Sequence, residues 1–128
     1  MPKNIEFSDT EIIPWKKLGK GTYEKVLNRN RQTGSYTRLL KFEPGGETKK
    51  ASSHEFSEEV IIIKGSLLDK SLNMVFTEGM YAFRNPRMKH GPYVSPSGCI
   101  TFEIGYFEGA NSAQARLSGH GKRIRKFA

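Results

Sequence analysis

The sequence predicts an all-β domain, a sandwich or barrel of short antiparallel strands, and three observations carry that expectation. Runs rich in β-branched and aromatic residues recur at intervals of about ten residues. Gly, Pro and Asn clusters punctuate them, and only residues 111–117 have helical character. About eight short strands with turn signals between them indicate a sandwich or barrel rather than an α/β fold.

Taken in order, residues 1–21 read as an irregular lead-in containing Ile12, Ile13 and Trp15. Gly19 and Gly21 open the run YEKVLNR, the first strand, and Asn30 to Gly34 makes a polar turn. SYTRLLKFEP is a second strand, closed by Pro44-Gly45-Gly46. In HEFSEEVIIIKG the centre, Val60 to Ile63, is β-branched throughout and favours strand over helix. Lys64-Gly65 is expected to close it, with SLLD returning as the second arm of a hairpin. Asn73 to Phe76 and Met80 to Arg84 continue the series across Glu78-Gly79, and CITFEIGYF is a long final strand after Pro96-Ser97-Gly98. The barrel is therefore expected over residues 22–110, followed by a short helix and a basic tail over 111–128.

Size and composition bound the function. At 128 residues, with 36% hydrophobic residues, the chain suits one globular domain. No apolar run approaches the roughly 18–20 residues needed to span a bilayer, and the first residues lack the apolar core of a secretory signal, so a cytoplasmic protein is expected. Cys99 is the single cysteine, which rules out an intramolecular disulfide and a four-cysteine zinc site. Next to Gly98 and Ile100 it reads as a small buried residue rather than a redox group. The net charge is +8, and the stretch from Arg116 to Ala128 carries five Lys/Arg and no acid. Without aromatic interleaving it reads as a solvated tail, so no nucleic-acid partner is expected. Gly19-Lys20-Gly21 lacks the spacing of a phosphate loop.

The chemistry lies in two spaced motifs. Gly46 is followed by five residues, then Ser52-Ser53-His54, three residues, Glu58, six residues and Gly65. Gly79 is followed by His90 eleven positions later. This pattern resembles the cupin superfamily, whose first motif is a glycine, His-x-His, a glutamate and a glycine, and whose second is a glycine and a histidine. Ser52 stands where the first histidine belongs, Pro86 lies one place late, and Val94 replaces an asparagine usual after the second-motif histidine. The segments SEEVIIIKGSLLD, EGMYAFRNP and HGPYVSPSGC are similar to the cupin domain of zinc-binding anti-sigma factors and to small dihydroxyacetophenone- and acetylacetone-type dioxygenases. The resemblance, over about residues 35–107, implies a double-stranded β-helix or jelly-roll barrel, one iron, zinc or manganese ion inside it, and often a homodimer.

The residues can also be read without the family. His54, Phe56, Glu58, Val60 and Ile62 share parity, so on a strand they face one way. An imidazole and a carboxylate facing inward among Val and Ile are costly unless partnered. A divalent metal is one partner, and a hydrogen-bonded structural pair is the other. With His90, the set makes two histidines and a carboxylate, the facial donor set of non-haem iron, which zinc also accepts. Ser52 is a poor ligand, because its hydroxyl would have to lose a proton. Ser52, Tyr81, Phe83 and Glu103 are further pocket candidates: Tyr81 and Phe83 share a face and are expected to line the barrel, and Glu103 projects inward or forms a salt bridge. Ile61 and Ile63 on the opposite face suggest a homodimer. The expected function is a metal-dependent dioxygenase acting on a small diketone- or hydroxyketone-like substrate, with a non-catalytic metal- or ligand-sensing cupin as the alternative.

Overall fold

In the computed structural model, which describes residues 2–107, one 3-10 turn (Thr10–Ile12) and eight strands form the regular structure. The strands are β1 (Lys16–Gly19), β2 (Thr22–Arg29), β3 (Tyr36–Phe42), β4 (Ser57–Asp69), β5 (Met74–Thr77), β6 (Tyr81–Arg84), β7 (Tyr93–Val94) and β8 (Cys99–Tyr106). All pairings are antiparallel, in the order β1-β2-β3-β8-β4-β5, with β6 and β7 also on β4. This is the all-β jelly roll expected. The expected helix over 111–117 and the basic tail lie outside the described residues.

Strand β4 organises the barrel, because its two halves serve different neighbours. Ser57 to Gly65 pairs with β8, and Glu58 to Ile61 also with β6. Ser66 to Asp69 pairs instead with β5, and its last two residues with β7. The expected hairpin between Ile63 and Ser66 is therefore corrected to one continuous strand. Gly65 does not end it but rolls it over at φ +81, next to a break in register between Ile62 and Lys64. A β-carbon there would collide with the Gly98 carbonyl, so only glycine lets the two chains close at this corner.

The lead-in is also more regular than its sequence suggests. Lys16–Gly19 pairs with β2 although all four residues are exposed, so main-chain hydrogen bonds hold it without an apolar signature. Ahead of it, Thr10 accepts a hydrogen bond from Lys25 Nζ at 2.9 Å, and Trp15 lies against the ammonium groups of Lys25 and Lys41 at 4.7 and 4.6 Å. The segment thus straps across β2 and β3.

Register fixes which side chains meet inside. Phe42, Ile62, Leu67 and Cys99 form the apolar core, with Leu40, Phe76 and Tyr93 packed on it. Burial pushes the Cys99 thiol up to about 11, which suits a core residue. The next rung is charged: Arg38 stands opposite Glu103, and Glu103 opposite Val60. Arg38 Nε donates to Glu103 Oε1 at 2.8 Å and Nη1 to Glu24 Oε1 at 3.1 Å, while Thr101 Oγ1 donates to Glu103 Oε2 at 2.8 Å. Glu103 thus projects inward and is salt-bridged as well.

Four variants test this reading of the corner and the charged rung. Gly65→Ala meets both the positive φ and the Gly98 carbonyl and should lower the unfolding free energy by about 3 kcal/mol or more. Gly79→Ala, at φ +84 with no atom near its β-carbon, should cost about 1 kcal/mol. Arg38→Met leaves Glu103 buried without its cation and should cost about 3 kcal/mol, and adding Glu103→Gln should recover much of that loss. Urea denaturation of the four variants measures each difference.

Candidate metal centre

The rung beside Arg38 and Glu103 runs Tyr36, Gly105, Glu58, Arg84 across β3, β8, β4 and β6. Glu58 is 1% exposed, so its carboxylate depends on partners within the protein. Arg84, directly opposite in register, donates Nη1 to Glu58 Oε1 at 2.6 Å and Nη2 to the Tyr93 hydroxyl at 2.8 Å. Tyr36 donates its hydroxyl to Glu58 Oε2 at 3.3 Å. It reaches across Gly105, where a β-carbon would strike the Tyr36 ring and Phe56. Burial, with Glu58 nearby, raises the Tyr36 phenol far above its usual range, so it remains a donor.

The two histidines arrive from outside the strands. His54 precedes β4, with its ring stacked on Phe56 at 4.7 Å between centroids, and Phe56 in turn meets Tyr36 edge-on at 5.7 Å. His90 is held by a short antiparallel bridge to Ser52, whose N–H donates to the His90 carbonyl and whose carbonyl accepts from the His90 N–H, both at 2.9 Å. Ser52 therefore sets the position of His90 through its main chain, a role that the missing motif histidine gives no hint of. Burial, with the Arg84 guanidinium close by, pushes the His90 imidazole down to about 4. At pH 7 it is neutral and has a lone pair to offer.

Together His54, Glu58 and His90 bring one ligand atom each within 4.8 Å of the others. The two Nε2 atoms are 3.2 Å apart, and Glu58 Oε1 lies 3.8 and 3.9 Å from them. A point equidistant from the three atoms lies about 2.1 Å from each, the length of a zinc bond to nitrogen or carboxylate oxygen. The donor set also fits: two imidazoles whose nitrogens face each other, and a carboxylate, suit zinc, iron or manganese.

The triad borders a cavity of about 480 Å³, lined also by Ser52, Glu103, Leu40, Phe42 and Lys49. Two pocket candidates do not line this cavity, although Tyr81 borders the neighbouring one. Tyr81 and Phe83 are 59% and 46% exposed on the outer face, while Ala82 and Arg84 turn inward. Hydrophobicity suggested the opposite parity, but this interior is where the charges pair, so the aromatic residues face out. Tyr81 Oη donates to Glu59 on that outer face, and Phe83 borders neither this cavity nor its neighbour. Arg84 and Tyr36 went unnoticed in the sequence. The signal for Arg84 was its even spacing from Ala82, which places it opposite Glu58.

Comparison with known proteins agrees with this architecture. The family described as the ChrR cupin-like domain matches residues 4–105. Among solved structures, an RmlC-like cupin from Shewanella frigidimarina superposes with a TM-score of 0.69 at 22% identity, over 87% of this chain and 98% of that one. An acetylacetone dioxygenase from Acinetobacter johnsonii gives 0.64 at 15% identity, over 81% and 73%. The complex of Rhodobacter sphaeroides SigE with the anti-sigma ChrR gives 0.61 at 20% identity, over 76% of this chain and 50% of that one. No curated protein matches the chain by sequence. With its motif spacing, its jelly roll and a family match over most of its length, the chain belongs to the ChrR cupin-like domain family.

Proposed function

We propose that the chain is a metal-dependent cupin of the dioxygenase type, acting in the cytoplasm on a small oxygenated molecule such as a diketone or hydroxyketone. The observation that carries this reading is the convergence of His54, Glu58 and His90 beside a cavity large enough for such a substrate. These three residues would hold the divalent ion. When bound, the ion would supply Lewis-acid polarisation of a chelating oxygen and, if it is iron, a redox-active centre for dioxygen chemistry in which the substrate is the electron donor. With Ser52 in place of a fourth ligand, coordination positions stay open for substrate and oxygen.

The chain's own residues do the rest. Arg84 and Tyr36 hold both oxygens of Glu58, so the carboxylate keeps one orientation. The stack of His54 on Phe56 and the Ser52 bridge to His90 fix the two imidazoles. Leu40, Phe42, Val60 and Leu67 give the cavity apolar walls that limit water around the donors.

A second reading, a metal-sensing cupin without turnover, is favoured by the likeness to the structure that contains an anti-sigma factor. Metal analysis of untagged protein separates the two. Iron near one equivalent with oxygen uptake on a diketone supports the dioxygenase, and tight zinc without turnover supports the sensor. In metal titrations, His54→Ala, Glu58→Gln and His90→Ala should each weaken binding at least tenfold, Ser52→Ala should change it little, and Ser52→His should tighten it. Equal, weak binding by wild type and His90→Ala would end both metal readings.

The protein is also proposed to work as a homodimer. Ile61, Ile63, Tyr81, Phe83 and Ile104 leave an exposed apolar patch across adjoining β8, β4 and β6, a surface suited to a second copy. Sedimentation should show a dimer at micromolar concentration and a monomer for Ile61→Lys/Tyr81→Lys. A monomeric wild type would refute the pairing.

A further inference from the structure

Next to the triad cavity lies a second one, of about 280 Å³, which the proposed reaction does not use. Val60, Leu67, Arg84, His90 and Tyr93 line both. Its buried side is apolar, with Val60, Ile62 and Leu67 from β4. Its rim is apolar as well. Leu72 after β4, Met80 after β5 and Met88 after β6 all border it, and each is about half exposed or more. Three large apolar side chains from three separate connections, gathered around one concavity, match the lining of a small-molecule site. Methionine at two of the three rim positions suits occupants of varied shape.

About half of the residues lining this cavity are polar or charged, and most of these are already engaged. Asp69 Oδ1 accepts from the Ser71 N–H, the Ser71 hydroxyl and the Leu72 N–H. Arg84 is bound to Glu58 and Tyr93, and Lys89 is exposed. An anionic ligand would find no unpaired cation in the buried part of the cavity, and Asp69, which has no ion-pair partner among the described residues, already accepts three hydrogen bonds on one oxygen. Tyr93 and His90 differ: the Tyr93 hydroxyl accepts from Arg84 and its own O–H remains to be given, and His90 Nδ1 is buried without a hydrogen-bond partner among the described residues. Accepting from a guanidinium strengthens that O–H as a donor.

We infer that this second cavity is a binding site for a small, uncharged, mostly apolar molecule carrying one carbonyl-type acceptor, which Tyr93 recognises with its hydroxyl. Apolar area from the β4 floor and the Leu72, Met80 and Met88 rim supplies the affinity, and Tyr93 supplies the preference for an acceptor. The site lies beside the position proposed for the ion and shares His90 with it, while His54 and Glu58 do not line it.

The test uses the full chain after treatment with a chelator, so the metal reading and this one can fail separately. Methionine-methyl NMR follows a titration with 1-indanone and, in parallel, with indane, which has the same ring frame without the carbonyl. The Met80 and Met88 methyls should shift and saturate, while Met74, which does not line the cavity, stays in place. 1-Indanone should bind about fivefold more tightly than indane, the worth of one neutral hydrogen bond. Tyr93→Phe should remove that preference and leave indane binding unchanged, and Leu72→Asp/Met88→Asp, at exposed positions, should weaken both ligands. Shifts at Met74 as large as at Met80, or no saturable shift, would overturn the site. Survival of the 1-indanone preference in Tyr93→Phe would overturn the assigned recognition.

Discussion

The burial of Glu58 is the constraint on which the rest of this barrel depends. A carboxylate with 1% exposure costs several kcal/mol unless charge and hydrogen bonds replace its water. Each neighbouring feature answers that need. Arg84 sits across the strand pair at 2.6 Å from Oε1, Gly105 leaves room for Tyr36 to reach Oε2, and Tyr93 holds the far end of the guanidinium. The histidines then approach an oxygen whose position is already set, with His90 pinned to Ser52 by main-chain bonds and His54 stacked on Phe56. Rigidity at the triad therefore comes from around the carboxylate rather than from the imidazoles.

The same constraint accounts for the distribution of side chains over the molecule. Two adjacent rungs inside the barrel are charged or polar, Arg38 with Glu103 and Tyr36 with Glu58 and Arg84, so much of the interior does not bury hydrophobic residues. The apolar core is displaced toward Phe42, Ile62, Leu67 and Cys99, near the corner that Gly65 turns. Part of the remaining apolar surface goes outward on β4, β6 and β8, and part goes to the rim of the second cavity. A polar interior, an apolar outer face and a second apolar concavity are in this sense one arrangement.

That arrangement also decides what could be read from the sequence. The motif spacing points to the triad because ligand spacing is local: His54 and Glu58 are four residues apart, and Gly79 turns the chain from β5 into β6, which leads to His90. Alternation in HEFSEEVIII placed Glu58 inward for the same reason. The sequence pattern misleads where the side of a strand has to be chosen by hydrophobicity. Tyr81 and Phe83 are the larger apolar residues of β6, yet it is Arg84 that turns inward, because Glu58 needs a cation more than the core needs two rings. It misleads at Gly65 because a positive φ serves a bend within a strand as readily as a turn between two. It is silent on β1 because a strand exposed along its whole length carries no apolar alternation.

Charge links the triad to the class of molecule proposed to bind there. Glu58 and Arg84 form a neutral pair, and His90, with its imidazole pushed down to about 4, brings no charge at neutral pH. A divalent ion held by this set would therefore sit in the barrel with little protein charge to offset it, and Arg84 would stand close by. A chelating substrate that gives up a proton on binding, as a diketone or hydroxyketone does when it binds as its enolate, would supply the missing negative charge. Replacing Ser52 by a neutral histidine adds a donor but no such charge. The absence of the first motif histidine is thus compatible with a working centre, because an ion held by His54, Glu58 and His90 would have room for an anionic oxygen donor from substrate.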